Sequence, residues 1–436
     1  MGKRNKCHNA LMASEALPAS QFVMVTVANL AEIEFAFGAQ ARYCAFERLC
    51  DVVHDIFDED EIREDEATGL IEMIVRPHPG QGLHGVDPMI SQLCAHICAS
   101  PILSQAGAFF AVPSVGTAPL ASSGANFESA RERAYSRVRF RPNSCHLMEG
   151  AQYRHDMAKA VYLLDSVAGA QASLVWQPTV GSAPDAPIFY YEGLLRIHDG
   201  AGNLRSAEPE ILALERVDLS PELDRRLMSA ALDELEANPT LCLGINISSA
   251  SASLHRYGTN TLWRELRERL NRRSGLAGRL VIEITETAQF VSLEEAREFI
   301  SVMQELGCLV AVDDFGTGGR SIFQLSALAA DIVKIDSRFV RDASNSDEGY
   351  GKFLDLVRLG TSFASAVIVE GIETADQASL ARNAGAGWLQ GYQFGRPSAG
   401  PMLPVVRDAR IIASRSSTAG PGSAEEAAAI RPGRLD

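Results

Sequence analysis

The sequence contains no long apolar run and no cysteine pattern typical of a zinc site. No segment reaches the roughly 20 apolar residues that a membrane-spanning helix needs, so we expect no membrane insertion. The basic N-terminus is not followed by a sustained apolar stretch, which argues against a signal peptide. The eight cysteines include no Cys-x-x-Cys pair, and "CAHIC" (94–98) has no second ligand pair at a zinc-finger distance. These absences predict a cytoplasmic protein with reduced core cysteines.

Net positive charge is also lacking. The formal net charge is -15, which argues against binding to a nucleic-acid polymer. A small anionic substrate is still allowed, because a bound metal ion can reverse the field within one pocket. The 436 residues, of which 46% are hydrophobic and 22% charged, suffice for two or three folded domains.

From about residue 172 onward, strand-like runs alternate with amphipathic helical stretches. The helical stretch Ser220 to Pro239 opens with Ser-Pro, and Ser292 to Gly307 carries a capping box and ends in glycine. Alternating apolar strands and helices predict a parallel sheet that is buried on both faces. About eight strands over about 230 residues is the size of a TIM-type (β/α)8 barrel. An open doubly wound sheet is the alternative. The strand-like runs are "SLVWQPTV", "IFYYEGLLRI", "LCLGINIS", "RLVIEITET", "LVAVDDFG", "DIVKIDSRFV", "AVIVEGIET" and "WLQGYQFGRP".

The first 150 residues predict a smaller α/β domain without a dense cluster of catalytic residue types. We expect strands in "FVMVTVANL", "GLIEMIV" and "AFFAVPSVGTA", one long helix over 31–57, and a helix in "ESARERAYSRV". The predicted organisation is a flexible N-terminus (1–19), the α/β domain (20–150), a connecting helix (151–171), the barrel (172–405) and a disordered tail (414–436) that is rich in Ser, Ala, Gly and Pro.

Polar side chains end most of the predicted barrel strands. The C-terminal strand ends of such a barrel converge on one face, where the acids would repel one another unless a cation lay among them. Oxygen donors without His or Cys select hard cations such as Mg²⁺ or Mn²⁺. Asp313 could bridge two such ions, an arrangement used in phosphoryl transfer. The strand-end residues are Glu192, Asn246, Glu283, Glu286, Asp313, Asp314, Lys334, Glu370, Glu373 and Gln390.

Each strand-end motif taken singly also has a structural explanation. Asp313 and Asp314 before "FGTG" could form a turn, and "VEGIET" could be a strand end followed by a helix cap. Glu283 and Glu286 could be surface acids, and Lys334 could reach solvent from a strand edge. The repetition of one chemical class at nearly every strand end favours the metal site.

Arg196 follows Glu192 by four residues, so both side chains point to the same face of an extended segment. An arginine beside an acidic metal site suits a bidentate grip on a substrate phosphate. A salt bridge to a neighbouring glutamate is an equally good interpretation of the spacing.

The ordered motifs "QP", "EGLLR", "NIS", "EITE", "DDFGTG", "KID", "EGIET" and "QGYQFGRP" resemble those of the EAL domain, a family of cyclic di-GMP phosphodiesterases, over roughly 171–401. The resemblance implies a TIM-like barrel with one antiparallel strand and hydrolysis of cyclic di-GMP to linear pGpG with two Mg²⁺ or Mn²⁺ ions. It also implies a homodimer formed through the barrel. One alternative is a non-catalytic cyclic di-GMP receptor that signals through the N-terminal domain, and another is an unrelated metal-dependent barrel hydrolase or lyase.

The resemblance further implies a role for each matching residue. The ligands of the first metal would be Glu192, Asn246, Glu283 and Asp313. The ligands of the second would be Asp313, Asp314 and Glu370. The other roles fall to Lys334 (contact with the attacking water), Glu373 and Gln390 (support of ligands or metal-bound waters), Arg196 (substrate phosphate) and Glu286 (anchor of the "DDFGTG" loop). The chain departs from the family pattern at Gly193, where alanine is usual, and after the loop, at Gly319 and Arg320.

The N-terminal part resembles, more faintly, the GGDEF diguanylate-cyclase domain. "GLIEM" occupies the place of that signature, with Ile71 at the metal-binding aspartate, and Thr26 and Ala28 fall at its strand-end aspartates. A cyclase needs metal-bound carboxylates. We therefore expect a domain without cyclase activity that regulates, packs or dimerises.

Overall fold

The computed structural model describes residues 20–57, 62–76, 86–120, 127–138, 149–183, 186–200, 203–253, 261–273, 275–285, 293–317 and 328–400. The predicted flexible N-terminus (1–19) and disordered tail (414–436) lie outside these residues. The described residues fall into two compact units. The first draws on Met1–Gly169, Ala207–Glu222 and Arg256–Arg264, and the second on Ala170–Ser206, Leu223–His255 and Glu265–Asp436.

The first unit is built on a four-stranded antiparallel sheet with the order β2-β3-β1-β6. A two-stranded ribbon, β4-β5, accompanies it. The strands are β1 (Gln21–Val27), β2 (Ile62–Asp65), β3 (Leu70–Val75), β4 (Ile102–Ser104), β5 (Gly107–Phe109) and β6 (Pro113–Pro119). The helices are α1 (Leu30–Phe37), α2 (Ala39–Ile56), α3 (Asp87–Ile97), α4 (Phe127–Arg137), α5 (Gly150–Ala168) and α6 (Glu208–Arg216).

The central strand β1 is buried along its whole length. Phe22 and Met24 pack against Ala130 and Ala134 of α4, so small residues on the helix allow it to lie close to the sheet. The prediction of a single helix over 31–57 is wrong, because the chain changes direction at Gly38. That residue has φ +93°, a conformation that glycine adopts without a steric penalty.

Helix α5 packs within the first unit. The amide of Asn29 donates to the hydroxyl of Tyr153 (3.0 Å). Asp156, which is fully buried, accepts two hydrogen bonds of 2.7 Å from the guanidinium of Arg216 on α6. Helix α6 lies within the stretch 207–222, which follows the first two barrel strands in sequence. This stretch nevertheless belongs to the first unit.

The second unit is a closed barrel of eight strands. The hydrogen-bonded order is β10-β11-β12-β13-β14-β15-β7-β8, and β8 pairs with β10 to close the ring. Strand β7 is antiparallel to both of its neighbours, and the other barrel pairs are parallel. The barrel prediction and its single antiparallel strand are confirmed, and the open sheet is excluded. The strands are β7 (Ala172–Gly181), β8 (Ile188–His198), β10 (Leu243–Ile247), β11 (Leu280–Thr285), β12 (Leu309–Phe315), β13 (Ile332–Ile335), β14 (Ala366–Val369) and β15 (Trp388–Gln390), with β9 (Leu204–Ser206) paired outside the ring to β8.

Helices occupy most of the connections between the parallel strands. They are α7 (Ser220–Ala237), α8 (Ser249–Ser253), α9 (Thr261–Arg272), α10 (Leu293–Glu305), α11 (Ser337–Asn345), α12 (Asp347–Phe363) and α13 (Ala375–Ala384), with a 3-10 turn at Ala277–Arg279. The predicted helices at 220–239 and 292–307 are α7 and α10. No helix in the described part of the chain is long and apolar enough to cross a membrane.

The interior of the barrel is a packed apolar layer. Its members come from six of the eight strands and, in Cys242, from the residue just before β10, so the layer forms only when the ring closes. They are Phe189, Tyr190, Cys242, Val281, Ala311, Ile332, Ala366, Ile368 and Trp388.

Candidate metal centre

Lys334 on β13 is surrounded by carboxylates. Its ammonium nitrogen lies 3.2 Å from Glu192, 3.3 Å from Asp313 and 2.8 Å from Glu370, and it also pairs with Glu283. The lysine has 0% exposure, so the interpretation that it reaches solvent from a strand edge is wrong. A buried ammonium is tolerated only when it is paired, and here four acids pair with it.

Two groups of acids at the barrel mouth have the spacing of metal ligands. Glu192, Glu283 and Asp313 form one group, and Asp313, Asp314 and Glu370 form the other, with the oxygens of each group within 4.8 Å of one another. Asp313 belongs to both. The groups contain every acid that the sequence analysis assigned to the two metals.

A backbone irregularity brings both Asp313 and Asp314 to the site. Neighbouring residues on a regular strand point to opposite faces. The pairing of β12 with β13 shifts register between Val312 and Phe315, and Asp314 has φ +56°. Aspartate tolerates this left-handed conformation better than most residues. The bulge therefore presents two consecutive carboxylates to one site.

Amide side chains hold Glu192 in place. One carboxylate oxygen accepts from Asn246 (2.9 Å) and the other from Gln390 (2.6 Å), whose own oxygen accepts from Thr179 (3.1 Å). Burial opposes ionisation of Glu192, but Lys334 and the two amides outweigh it and lower the pKa of this carboxyl. The partners of Glu192 therefore favour its ionised form.

The other acids hold their protons more tightly. Burial and the neighbouring carboxylates raise the pKa of Glu283 to about 8 and that of Asp314 to about 6. Burial and the charge of Asp313 raise the pKa of Glu370 well above its ordinary range. Five carboxyls face a single ammonium, so more positive charge is needed before all of them ionise. Oxygen-only ligands suit a hard divalent cation, and such an ion would replace the protons.

Of the remaining predicted site residues, the structure describes Arg196 and Glu373. Arg196 is half-buried on β8, where its guanidinium donates to the carbonyl of Leu195 (2.9 Å). Within the described ranges it forms no ion pair with a glutamate, so that interpretation of its spacing is not supported. Glu373 is exposed before α13. Glu286, Gly319 and Arg320 lie outside the described residues.

The sequence analysis did not identify three residues that interact with these acids or their partners. Tyr190 is two residues before Glu192, and Thr179 is hydrogen-bonded to Gln390. Asp336 acts on Asp314, after burial and Asp313, to raise the pKa of that acid. Strand periodicity could have found Tyr190, because residues i and i+2 share a face. The other two depend on contacts between different strands.

The structure also explains the glycine at position 193. Gly193 pairs with Trp176 across the antiparallel strands β7 and β8. A Cβ at position 193 would lie 2.8 Å from the indole of Trp176 and 3.2 Å from the carbonyl oxygen of Gly244. The buried indole thus occupies the space that an alanine methyl would need.

Comparison with known proteins places this site in a family. The family model "EAL domain" matches residues 161–397, which is more than half of the chain. The chain belongs to the EAL-domain family. The matched region contains all five acids of the two metal-ligand groups.

Two curated relatives are similar over part of their length. One is "Cyclic di-GMP phosphodiesterase TpdA" of Vibrio parahaemolyticus, 35% identical over 36% of this chain and 26% of the relative. Another is "Cyclic di-GMP phosphodiesterase PdeF" of Escherichia coli, 28% identical over 55% of this chain and 31% of the relative. The chain therefore spans under a third of the length of these relatives. A solved structure, the PaMucR phosphodiesterase in complex with c-di-GMP, has a TM-score of 0.49 and 23% identity over 55% of this chain and 97% of that chain.

The stability of the metal-free protein should fall as the pH rises. The ordinary pKa of Glu283 is 4.5, and in the folded protein it is about 8. Between these values the folded state keeps a proton that the unfolded state has lost. The stabilisation is therefore complete below 4.5 and is lost as the pH rises through 8. We expect the Tm measured with a chelator to be lower at about pH 8.5 than at about pH 6, and Mn²⁺ to raise the Tm more at the higher pH.

The matched control is Glu283→Gln, a neutral side chain of the same shape. Its metal-free Tm should change less over this pH range than that of the wild type. A wild-type Tm that stays constant in the presence of chelator would contradict the assignment of raised pKa values to these acids.

Restoring the family's usual alanine at position 193 should destabilise this protein. Gly193→Ala forces the indole of Trp176 or the neighbouring strand to move, and overpacking of this kind costs about 1–3 kcal/mol. Urea unfolding at a fixed Mn²⁺ concentration measures the free energy of unfolding. The control is Gly351→Ala on α12, where an added Cβ meets nothing within 4 Å and should be neutral or stabilising. Equal stability of Gly193→Ala and the wild type would show that the indole relaxes without cost.

Proposed function

We propose that this protein hydrolyses cyclic di-GMP to linear pGpG with the help of two Mg²⁺ or Mn²⁺ ions. The observation that carries the proposal is the pair of acid groups that share Asp313 around a buried lysine. Membership of the EAL-domain family and the names of the two curated relatives support it. The particular substrate rests on those relatives, and the metal dependence rests on the donor set.

The residues at the barrel mouth fit a pair of hard cations. Glu192, Glu283 and Asp313, with the amide oxygen of Asn246, would hold one ion. Asp313, Asp314 and Glu370 would hold the other. One oxygen of Glu283 is buried without a hydrogen bond, which leaves it a lone pair to donate. When bound, such ions make a water more acidic and offset the charge that develops on the phosphate and the leaving oxygen.

Lys334 acts as a hydrogen-bond donor and not as a base. Although burial alone would lower it, the surrounding acids, Asp313 first, raise the pKa of Lys334 well above its ordinary value. Among these acids the side chain is therefore an ammonium. It can orient an attacking water through the oxygen of that water, and it keeps the acids apart. Gln390 and Asn246 fix Glu192, and Glu373, which precedes α13, would support ligands or metal-bound waters.

The reaction forms one bond and breaks one. The oxygen of water bonds to a phosphorus, and the bond from that phosphorus to a 3′-oxygen breaks. The 3′-oxygen takes up a proton, and the opened product carries one terminal 5′-phosphate. Arg196 lies beyond Glu192 on the same strand face and would hold a phosphate oxygen of the substrate.

For the first unit, we propose a role other than cyclic di-GMP synthesis. Ile71 is fully buried, and the hydroxyl of Thr26 donates to the carbonyl of Gly69 (2.7 Å). Neither side chain can ligate a metal ion in the way that a carboxylate does. We propose that the part from 20 to 150 regulates, packs or dimerises, that 151–171 connects it to a barrel over 172–405, and that the protein acts in the cytoplasm as a dimer formed through its barrel.

Replacement of a shared or central ligand should abolish turnover. Glu192→Ala or Asp313→Ala removes an anionic donor from one or both metal positions, and we expect kcat to fall by at least about 100-fold. The measurement is chromatographic separation of pGpG after incubation with cyclic di-GMP and Mg²⁺ or Mn²⁺. Glu348→Ala, a surface acid paired only with Lys352 among the described residues, serves as the control and should retain activity.

The outcomes of this assay separate the alternatives. A near-normal rate in either variant would show that the ligand assignment is wrong. If the wild type binds cyclic di-GMP but forms no product with either metal ion, the protein is a receptor. If the wild type does not bind the nucleotide, an unrelated metal-dependent reaction remains.

Loss of the arginine should weaken substrate binding more than it slows the chemical step. Arg196→Ala should raise KM by about 10-fold or more and lower kcat less, because a phosphate contact acts before as well as during the reaction. Arg358→Ala, at an exposed position on α12, is the control. An unchanged KM in Arg196→Ala would exclude this phosphate contact.

A further inference from the structure

Tyr190 lies directly under the acids of the barrel mouth. It is two residues before Glu192 on β8, and its side chain belongs to the apolar layer that fills the barrel. It has 0% exposure and is the largest fully buried side chain among the described residues. Burying a phenol in such an apolar layer costs free energy unless its hydroxyl has a hydrogen-bond partner.

The hydroxyl of Tyr190 and one oxygen of Glu283 are buried polar atoms for which the described residues provide no hydrogen-bond partner. Among the described residues of the second unit, these are the only buried side-chain polar atoms without a hydrogen bond of normal geometry. One is a donor and the other is an anionic acceptor. Leaving each unsatisfied costs about 1–3 kcal/mol. The other oxygen of Glu283 already pairs with Lys334.

The two groups share the space above Gly244. A Cβ built on Gly244 would overlap both Oε1 of Glu283 and the edge of the Tyr190 ring next to its hydroxyl-bearing carbon. A phenol hydroxyl is a hydrogen-bond donor, and Oε1 of Glu283 is an acceptor at the same place. Gly244 provides the room for this pair.

We propose that Tyr190 is a positioning residue, whose hydroxyl donates to Oε1 of Glu283 and holds this carboxylate in its metal-binding orientation. The inference rests on the proposed function, since it takes Glu283 to be a metal ligand. Ligands of metal ions commonly depend on such an outer hydrogen bond for their orientation. Lys334 and Tyr190 would then fix Glu283 from two sides.

Tyr190→Phe tests the proposal, because it removes the hydroxyl and keeps the ring. We expect the Kd for Mn²⁺, measured from the electron paramagnetic resonance signal of free Mn²⁺, to rise by about 10-fold. The rate of hydrolysis should fall at limiting Mn²⁺ and recover at saturating Mn²⁺, which a general loss of structure would not produce. Tyr191→Phe is the matched control, since this neighbouring buried tyrosine is not part of the barrel-interior layer. Its Kd for Mn²⁺ should equal that of the wild type.

A second comparison isolates the contact with Glu283. In the Glu283→Gln background, Tyr190→Phe should change the Kd for Mn²⁺ much less than it does in the wild type, because the anionic acceptor is gone. An equal change in both backgrounds would show that the tyrosine acts elsewhere. Wild-type Mn²⁺ affinity in Tyr190→Phe would overturn the proposal outright.

The failure of this inference can be told from the failure of the proposed function. If the wild type itself binds no Mn²⁺, the metal centre is wrong and the role of Tyr190 falls with it. If circular dichroism shows that Tyr190→Phe does not fold, the proposal is tested on the wild-type protein instead. With its nine tyrosines labelled at the ring carbon that bears the hydroxyl, one resonance should shift when Mg²⁺ is added. No shift in any of them would overturn the proposal.

Discussion

The burial of one ammonium among four carboxylates is the constraint on which the rest of this barrel depends. Lys334 cannot be buried unless Glu192, Glu283, Asp313 and Glu370 reach it, and these acids stand on β8, β11, β12 and the end of β14. They meet only if the ring closes in one register. The carboxyls that surround the lysine then carry more negative charge, when ionised, than its single positive charge can balance. The fold therefore creates, at its mouth, a site that holds protons or divalent cations.

The layer below the acids contributes to the electrostatics of the site. Glu192 is held by two amides, and its pKa is lowered, whereas Glu283 rests on the apolar interior, and its pKa rises to about 8. The difference arises from their partners, since both are almost completely buried. Tyr190 is the polar side chain of that interior layer, and Gly244 leaves room for it beside Glu283. The hydroxyl of Tyr190 and the absence of a side chain at Gly244 together decide how firmly Glu283 is fixed.

The two units are not two consecutive parts of the sequence. Helix α6 follows two barrel strands in the chain but packs with α5 in the first unit through Arg216 and Asp156. Helical periodicity indicates that α6 is amphipathic. It does not indicate which apolar surface the helix covers. Domain boundaries drawn from composition alone therefore assign such a segment to its neighbours in sequence.

The sequence by itself determined the class of fold and the chemical character of the site. Apolar runs of strand length between helices predict the barrel, and in a parallel ring the residues that end the strands must share one face. That reasoning identified Glu192, Asp313 and Lys334 as members of one site. Only the tertiary structure decided that Asp314 turns into the site through a bulge, that Trp176 excludes a side chain at Gly193, and that Tyr190 meets Glu283 above Gly244. These contacts join different strands, and the stagger of the strands in the closed ring determines which residues meet. Periodicity in the sequence reports only which face of its own strand a residue occupies.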